Sequence, residues 1–157
     1  MARTAITAEG YETLRTELKR LSEVERRKIS AEIGVARDHG DLSENAEYHA
    51  AKEKQGQIEA RIRQLEGILS NSEIIDPARL NGERVKFGAR VTLEDIDSGK
   101  ISEYRLVGTD EADIDKGTIS IASPLARALI NHTVGDEVRV RAPGGERTYE
   151  IVEIRWS

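Results

Sequence analysis

The spacing of apolar residues in the first half of the chain places the strongest constraint on its fold, since these residues recur every three or four positions. This spacing aligns apolar side chains along one face of an α-helix. The seam runs through Tyr11, Leu14, Leu18, Leu21 and Val24 and, after a slip, through Ile29, Ile33 and Ala36. Such a slip is typical of a stutter in a heptad pattern. Thr7 precedes the run and is a favourable N-cap residue, so we expect the first helix to begin there and to end near Asp38.

A second run of the same kind, Ile58, Ile62, Leu65 and Leu69, predicts a second amphipathic helix that begins near Ser43. Only a short turn around Gly40 separates the two runs, and neither helix can bury its apolar face alone. We therefore expect an antiparallel helical hairpin, or coiled coil. With about 30 residues per helix and about 1.5 Å per residue, this finger would be about 45 Å long.

The second half of the chain changes from helical spacing to alternation, which is typical of strands separated by glycine-rich turns. The predicted strands are residues 89–96, 101–108, 117–123, 136–143 and 146–156. Pro124 follows Ser123 and favours the start of a short helix. Helical spacing ends before Asp76-Pro77, so we divide the chain into a coiled-coil finger at 1–76 and an antiparallel-sheet domain at 77–157. The fold class is α+β.

The composition excludes several kinds of protein. The 157 residues contain no cysteine, so disulfides and thiolate metal sites are excluded. No apolar run is long enough to cross a membrane, and no secretory leader is recognisable, so we expect a cytoplasmic protein without a membrane partner. The net charge of −5 argues against a general nucleic-acid coat, which would need an excess of basic residues.

The turn "GDLSE" at residues 40–44 has two interpretations. Asp41 and Glu44 have the spacing of a capping box, in which each side chain accepts a hydrogen bond from the other residue's amide, and the pattern alone favours this structural role. Two carboxylates at this spacing can also face one hard cation such as Mg²⁺, although they would need further ligands from a partner. The sequence leaves both interpretations open.

Basic and histidine side chains near the turn give weaker signals. Arg37, Lys52 and Lys54 could flank a phosphate chain, but a solvated helix face is the more common explanation for such residues. His39 and His49 lie near the two acids, yet the spacing of a zinc site is missing, so zinc is disfavoured.

Three longer stretches resemble a known family. "GDLSENAEYHAAKEKQGQIEARIRQLEGILSNSEIID" (40–76), "SPLARALINHTVGDEV" (123–138) and "APGGERTYEIVEI" (142–154) closely resemble the Gre family of bacterial transcript cleavage factors. Within that family, "ENAEYHAAKEKQG" is more similar to the GreA branch than to the GreB branch. The resemblance covers essentially the whole chain.

The resemblance implies a specific architecture and function. It implies an N-terminal antiparallel coiled coil and a C-terminal FKBP-like domain that docks at the rim of the secondary channel of bacterial RNA polymerase. The tip would then reach the polymerase active centre, where the polymerase itself cleaves a backtracked transcript and arrested complexes are rescued. The protein would stimulate that reaction as a monomer, without being a nuclease or a prolyl isomerase.

The resemblance also assigns roles to individual residues. Asp41 and Glu44 match the acidic pair of the family, which helps to hold a shared Mg²⁺ and to orient the attacking water. Arg37 and Lys52 lie where the family contacts the RNA 3′ end. Ser43 would favour the turn or orient water. Two alternatives remain open: a channel-binding inhibitor that does not promote cleavage, and a coiled-coil adaptor that needs no acids at its tip.

Overall fold

The computed structural model describes residues 3–41 and 44–156. The chain divides into two compact units. One consists of Tyr11–Asn71, and the other combines the residues up to Gly10 with those from Ser72 onward. The functional division at residues 76 and 77 stays a prediction. Within the described ranges, no helix combines the length and apolar character that a bilayer crossing requires.

The helices of the first unit follow the predicted spacing closely. Helix α1 covers Ala8–Arg20, α2 covers Arg26–Arg37 and α3 covers Ala46–Ser70. The hydroxyl Oγ1 of Thr7 accepts a hydrogen bond from the amide of Gly10 at 2.9 Å, which confirms Thr7 as the N-terminal cap.

The slip in the apolar spacing corresponds to a π-helical turn at Leu21–Glu25, between α1 and α2. Such a turn contains an extra residue and therefore rotates the residues that follow about the helix axis. Leu21 and Ile29 are buried on either side of this turn, whereas Val24 is 43% exposed. The prediction that Val24 belongs to the seam is therefore wrong. Regular α-helical spacing was assumed for residues 21–25, where the helix is in fact a π-helical turn.

Two ion pairs show that α3 runs antiparallel to the other helices of the hairpin. Arg61 Nε lies 2.8 Å from Glu17 Oε2, and Arg26 Nε lies 2.8 Å from Glu59 Oε1. As residue numbers rise along one helix, those of its partners fall along the other. The interior of the hairpin is apolar along most of its length, and its buried members are Leu14, Leu21, Ile29, Ile33, Ala36, Ala51, Ile58, Ile62 and Leu65.

The second unit contains a five-stranded sheet and a short helix. The strands are β3 (Arg90–Asp95), β4 (Ile101–Val107), β5 (Thr118–Ser120), β6 (Glu137–Ala142) and β7 (Gly145–Arg155), in the order β5-β4-β3-β7-β6. Strand β5 pairs parallel to β4, whereas the other pairs are antiparallel. The α+β class is confirmed, but the sheet is mixed rather than purely antiparallel. The connection through a 3₁₀ turn at Ile114–Lys116 allows β5 to run in the direction of β4.

The core of this unit lies between one face of the sheet and helix α4, which covers Pro124–Leu129. Ser123 caps α4 by accepting a hydrogen bond from the amide of Ala126 at 3.2 Å, and proline occupies the first turn as predicted. Val85, Ala89, Val91, Leu93, Leu106, Ala126, Leu129 and Ile151 are completely buried. Alternate residues of β3 point into this core, which explains the alternation in its sequence.

A small parallel sheet in the second unit was not predicted. Strand β1 (Thr4–Ile6) pairs with β2 (Ser72–Ile74), so the first residues of the chain belong with the C-terminal part. The Glu111 carboxylate fastens this segment. It accepts hydrogen bonds from the Thr7 amide at 2.8 Å, from the Thr7 hydroxyl, and from the Gly108 amide at 2.8 Å.

Candidate functional site

The turn between α2 and α3, called the tip below, comprises the described residues 38–41 and 44–45. Helix α2 ends at Arg37, and the amide of His39 donates to the carbonyl oxygen of Ala36 at 3.1 Å. Gly40 has a backbone φ of +115°, which residues other than glycine rarely adopt. Gly40 therefore prevents the helix from continuing, in agreement with the predicted end near Asp38.

The residue that caps α3 is Asn45. Its side chain accepts a hydrogen bond from the amide of Tyr48 at 3.0 Å, and the helix begins at Ala46. The N-cap of α3 is therefore Asn45 rather than Asp41, and the helix begins three residues after the predicted start near Ser43. Glu44 lies in a 3₁₀ turn before the helix, so the capping position falls four residues after Asp41. Ser43 itself lies outside the described residues.

The two acids of the tip are exposed and face a common space. Asp41 and Glu44 line an open depression of about 440 Å³ together with His39, Asn45 and Glu47. Carboxylate oxygens are the ligands that Mg²⁺ prefers, and the surrounding groups are polar. In residues 3–41 and 44–156, no cluster of three or more acidic or histidine side chains is arranged to hold a metal ion.

The histidines near the tip have partners of their own. His39 Nδ1 lies 3.2 Å from Glu47 Oε2 across the turn, and the His49 ring contacts Tyr48 edge-on at a centroid distance of 5.6 Å. Glu47 belongs to the first turn of α3, where a negative charge is favourable. His39 therefore connects the end of one helix to the start of the next.

The three basic residues near the tip do not form a single patch. Arg37 is the exposed last residue of α2, and Lys52 is exposed on α3, where its Nζ donates to Gln55 Oε1 at 3.2 Å. Lys54 lines a different groove of about 550 Å³, next to Val35 and Ala50. The RNA-binding role predicted for Arg37 and Lys52 therefore stays a prediction.

Away from the tip, ion pairs between the helices stabilise the charged forms of their carboxylates. The hydrogen bond from Arg61 lowers the pKa of Glu17 below its ordinary value of 4.5, despite partial burial. The hydrogen bond from Arg26 lowers the pKa of Glu59 in the same way. These two ion pairs therefore stabilise the hairpin along its length and lie outside the tip.

Two family models match this chain over nearly its whole length. The model for the N-terminal part of transcription elongation factors matches residues 4–74, and the GreA/GreB C-terminal model matches residues 80–155. The chain belongs to the GreA/GreB family of transcription elongation factors. The resemblance found in residues 40–76, 123–138 and 142–154 is thereby confirmed.

The chain is similar to several individual proteins. The transcription elongation factor GreA of Alkalilimnicola ehrlichii is 57% identical over 158 residues, and the alignment covers 100% of each chain. The GreA of Caulobacter sp. strain K31 is 51% identical over 156 residues, with 99% of each chain covered. The solved structure of GreA factor homolog 1 from Thermus thermophilus is 34% identical, covers 98% of this chain and 99% of that one, and has a TM-score of 0.45.

Family membership confirms the predicted function at the family level. The chain is a transcription elongation factor that stimulates transcript cleavage by RNA polymerase, and its partner is that polymerase. Members of the family stimulate the polymerase rather than acting as enzymes themselves. The residue that the sequence analysis missed is Asn45. Asparagine is among the most favourable N-cap residues, and its position immediately before Ala46 was the available signal.

Proposed function

We propose that the tip of the helical hairpin enters the polymerase secondary channel and adds Asp41 and Glu44 to the ligands of a Mg²⁺ ion in the active centre. The observation that carries this proposal is the exposure of both carboxylates on one polar depression. The donor set fits, because Mg²⁺ takes oxygen ligands and commonly uses one or two carboxylates together with other groups. The polymerase and the RNA would provide the remaining ligands.

When bound between these partners, Mg²⁺ would stabilise the negative charge that develops on the phosphodiester and lower the pKa of a bound water. Asp41 and Glu44 would each direct one carboxylate oxygen toward the ion, and a second oxygen would be available to orient the attacking water. Ser43, which lies between them in the sequence, favours the turn or orients that water. The scissile bond belongs to the backtracked RNA, and hydrolysis would give the transcript a new 3′ end in the polymerase active centre.

Arg37 and Lys52 are proposed to hold the RNA 3′ end beside the acids. Both side chains are exposed and lie on consecutive helices next to the tip. Arginine can bind a phosphate through two parallel hydrogen bonds, whereas lysine provides a compact charge without that geometry. We therefore assign the more specific phosphate contact to Arg37.

The second unit, called the sheet unit below and including β1 and β2, is proposed to dock at the rim of the channel, and the hairpin of Tyr11–Asn71 is proposed to be the inserted finger. We propose that the protein acts as a monomer in the cytoplasm, where it would meet the polymerase. One copy suffices because both proposed metal ligands come from a single turn.

The test uses a stalled, backtracked elongation complex with end-labelled RNA, incubated with the full-length protein and Mg²⁺. Asp41→Asn and Glu44→Gln should each lower the cleavage rate by about a hundredfold, in line with the loss of a group that stabilises transition-state charge. Glu53→Gln is the matched control, because it neutralises an exposed carboxylate within α3. Its cleavage rate should equal that of the wild type.

Either of two results would contradict the proposal. One is cleavage by both tip variants at the wild-type rate, which would show that the two acids take no part in the reaction. The other is a wild-type protein that binds the complex and blocks extension without shortening the transcript, which would favour the inhibitor alternative.

A further inference from the structure

The side chain of Asn45 joins the end of one hairpin helix to the start of the other. Its Oδ1 accepts a hydrogen bond from the Tyr48 amide at 3.0 Å, within the first turn of α3. Its Nδ2 donates to the carbonyl oxygen of Ala36 at 2.5 Å, nine positions earlier in the chain. A single half-buried amide therefore contacts both helices.

The contact with Ala36 goes beyond helix capping. An N-cap needs only an acceptor, which serine, threonine or aspartate could also provide. The Ala36 carbonyl lies in the last turn of α2 and accepts a hydrogen bond from the His39 amide at 3.1 Å, so the Asn45 side chain provides a second donor to the same oxygen. The side-chain NH₂ of Asn45 donates to that carbonyl oxygen. Among the good cap residues, only asparagine carries both an acceptor and an NH₂ donor.

The chain between these two contacts contains Asp41 and Glu44. Among the described residues of the tip, the pair between His39 and Glu47 also links its two sides, and these side chains are 57% and 71% exposed. Exposed ion pairs contribute little, because solvent screens them and both side chains lose freedom. The Asn45 side chain is less exposed, and Asn45 is the immediate neighbour of Glu44.

We propose that Asn45 is a positioning residue for transcript cleavage: its bond to Ala36 holds the two ends of the tip so that Asp41 and Glu44 act on one Mg²⁺ ion. The inference rests on the proposed function of those two acids. Loss of the bond leaves both carboxylates in place but allows their separation to vary. The affinity for the shared ion then falls, because part of the binding free energy is spent on ordering the loop.

The test compares Asn45→Ser with Asn45→Ala in the full-length protein. Serine retains the capping acceptor and adds no charge, but its hydroxyl cannot span the distance to Ala36 while capping Tyr48. Alanine removes both contacts. The measured quantities are the cleavage rate at saturating protein, the Mg²⁺ concentration that gives half of the maximal rate, and the helical circular dichroism signal.

We expect Asn45→Ser to keep the wild-type helical signal while its half-saturating Mg²⁺ concentration rises by about tenfold, in line with losses at groups that orient metal ligands. Asn45→Ala should show the same rise and a lower thermal midpoint. A capping role alone predicts a different result, in which Asn45→Ser has wild-type Mg²⁺ dependence and only Asn45→Ala is impaired. That result would overturn the inference.

Asp41→Asn in the same titration separates this inference from the proposed function. If Asp41→Asn abolishes cleavage and Asn45→Ser behaves as the wild type, only the positioning role of Asn45 is refuted. If Asp41→Asn cleaves as the wild type does, the proposed function fails, and the inference about Asn45 fails with it.

Discussion

The core of the sheet unit and the tip of the helical hairpin differ in the size of the apolar side chains that they bury. Val91, Leu93 and Ile151 in the sheet unit are each 0% exposed. In the hairpin, the buried apolar residues nearest the tip are Ala36 and Ala51, which contribute only one methyl group each. The groups that stabilise the fold and the groups proposed to act in the chemistry therefore lie in different parts of this chain. Large buried side chains maintain the fold, and the tip presents its polar groups where few packing contacts depend on them.

Replacement of a core residue should have the largest effect on stability. Leu93 projects from β3 into the sheet core and is completely buried. Leu93→Ala should lower the free energy of unfolding by about 2–5 kcal/mol, because it removes buried methyl groups and leaves a cavity. Denaturant unfolding of the full-length protein measures this loss. If the loss were below about 0.5 kcal/mol, as is usual for surface substitutions, the contrast between the two regions would be wrong.

A smaller effect is expected from an ion pair on the hairpin. The hydrogen bond from Arg61 lowers the pKa of Glu17 below 4.5, so the pair stabilises the folded state above that pH. This contribution should disappear as the pH falls through the lowered pKa, because the carboxylate then binds a proton. Glu17→Gln should reduce stability at pH 7 by less than about 1 kcal/mol, since the pair is partly exposed to solvent.

Hydrogen exchange of the hairpin amides at pH 7 and pH 3.5 measures this pH dependence. The wild type and Glu17→Gln should differ at pH 7, and this difference should be smaller at the lower pH. Glu12→Gln is the control, because its pair with Arg15 lies within one helix and is largely exposed. A Glu17→Gln difference that grows as the pH falls would have the wrong sign for a lowered pKa.

Much of the fold could be predicted from the sequence because the apolar spacing is long and regular. The helices around Leu14 and Ile62 and the strands around Leu93 and Ile151 follow their expected periods. The pairing of β1 with β2 could not be predicted, since each strand has three residues and they lie far apart in the chain. Three residues are too few to show an alternation.

The candidate site was predicted in part. The positions of Asp41 and Glu44 in an exposed turn agree with the sequence, but the N-cap of α3 is Asn45 rather than Asp41. Both Asp-x-x-Glu and Asn45 satisfy the capping preferences, and the sequence does not show where the 3₁₀ turn gives way to α-helix. The hydrogen bond from Asn45 to Ala36 could not be predicted from the sequence either, because it depends on how the two helices approach each other.

The tip acids should have the smallest effect on stability and the largest effect on chemistry, and a competition experiment tests this claim most directly. Increasing amounts of Asp41→Asn are added to a backtracked elongation complex with a fixed amount of wild-type protein, and the rate of transcript shortening is measured. Asp41→Asn should fold and bind as the wild type does, so it should halve the rate when the two proteins are present in equal and saturating amounts. An unchanged rate at a large excess of folded Asp41→Asn would show that Asp41 is needed for binding, and would contradict the separation of chemistry from the rest of the molecule.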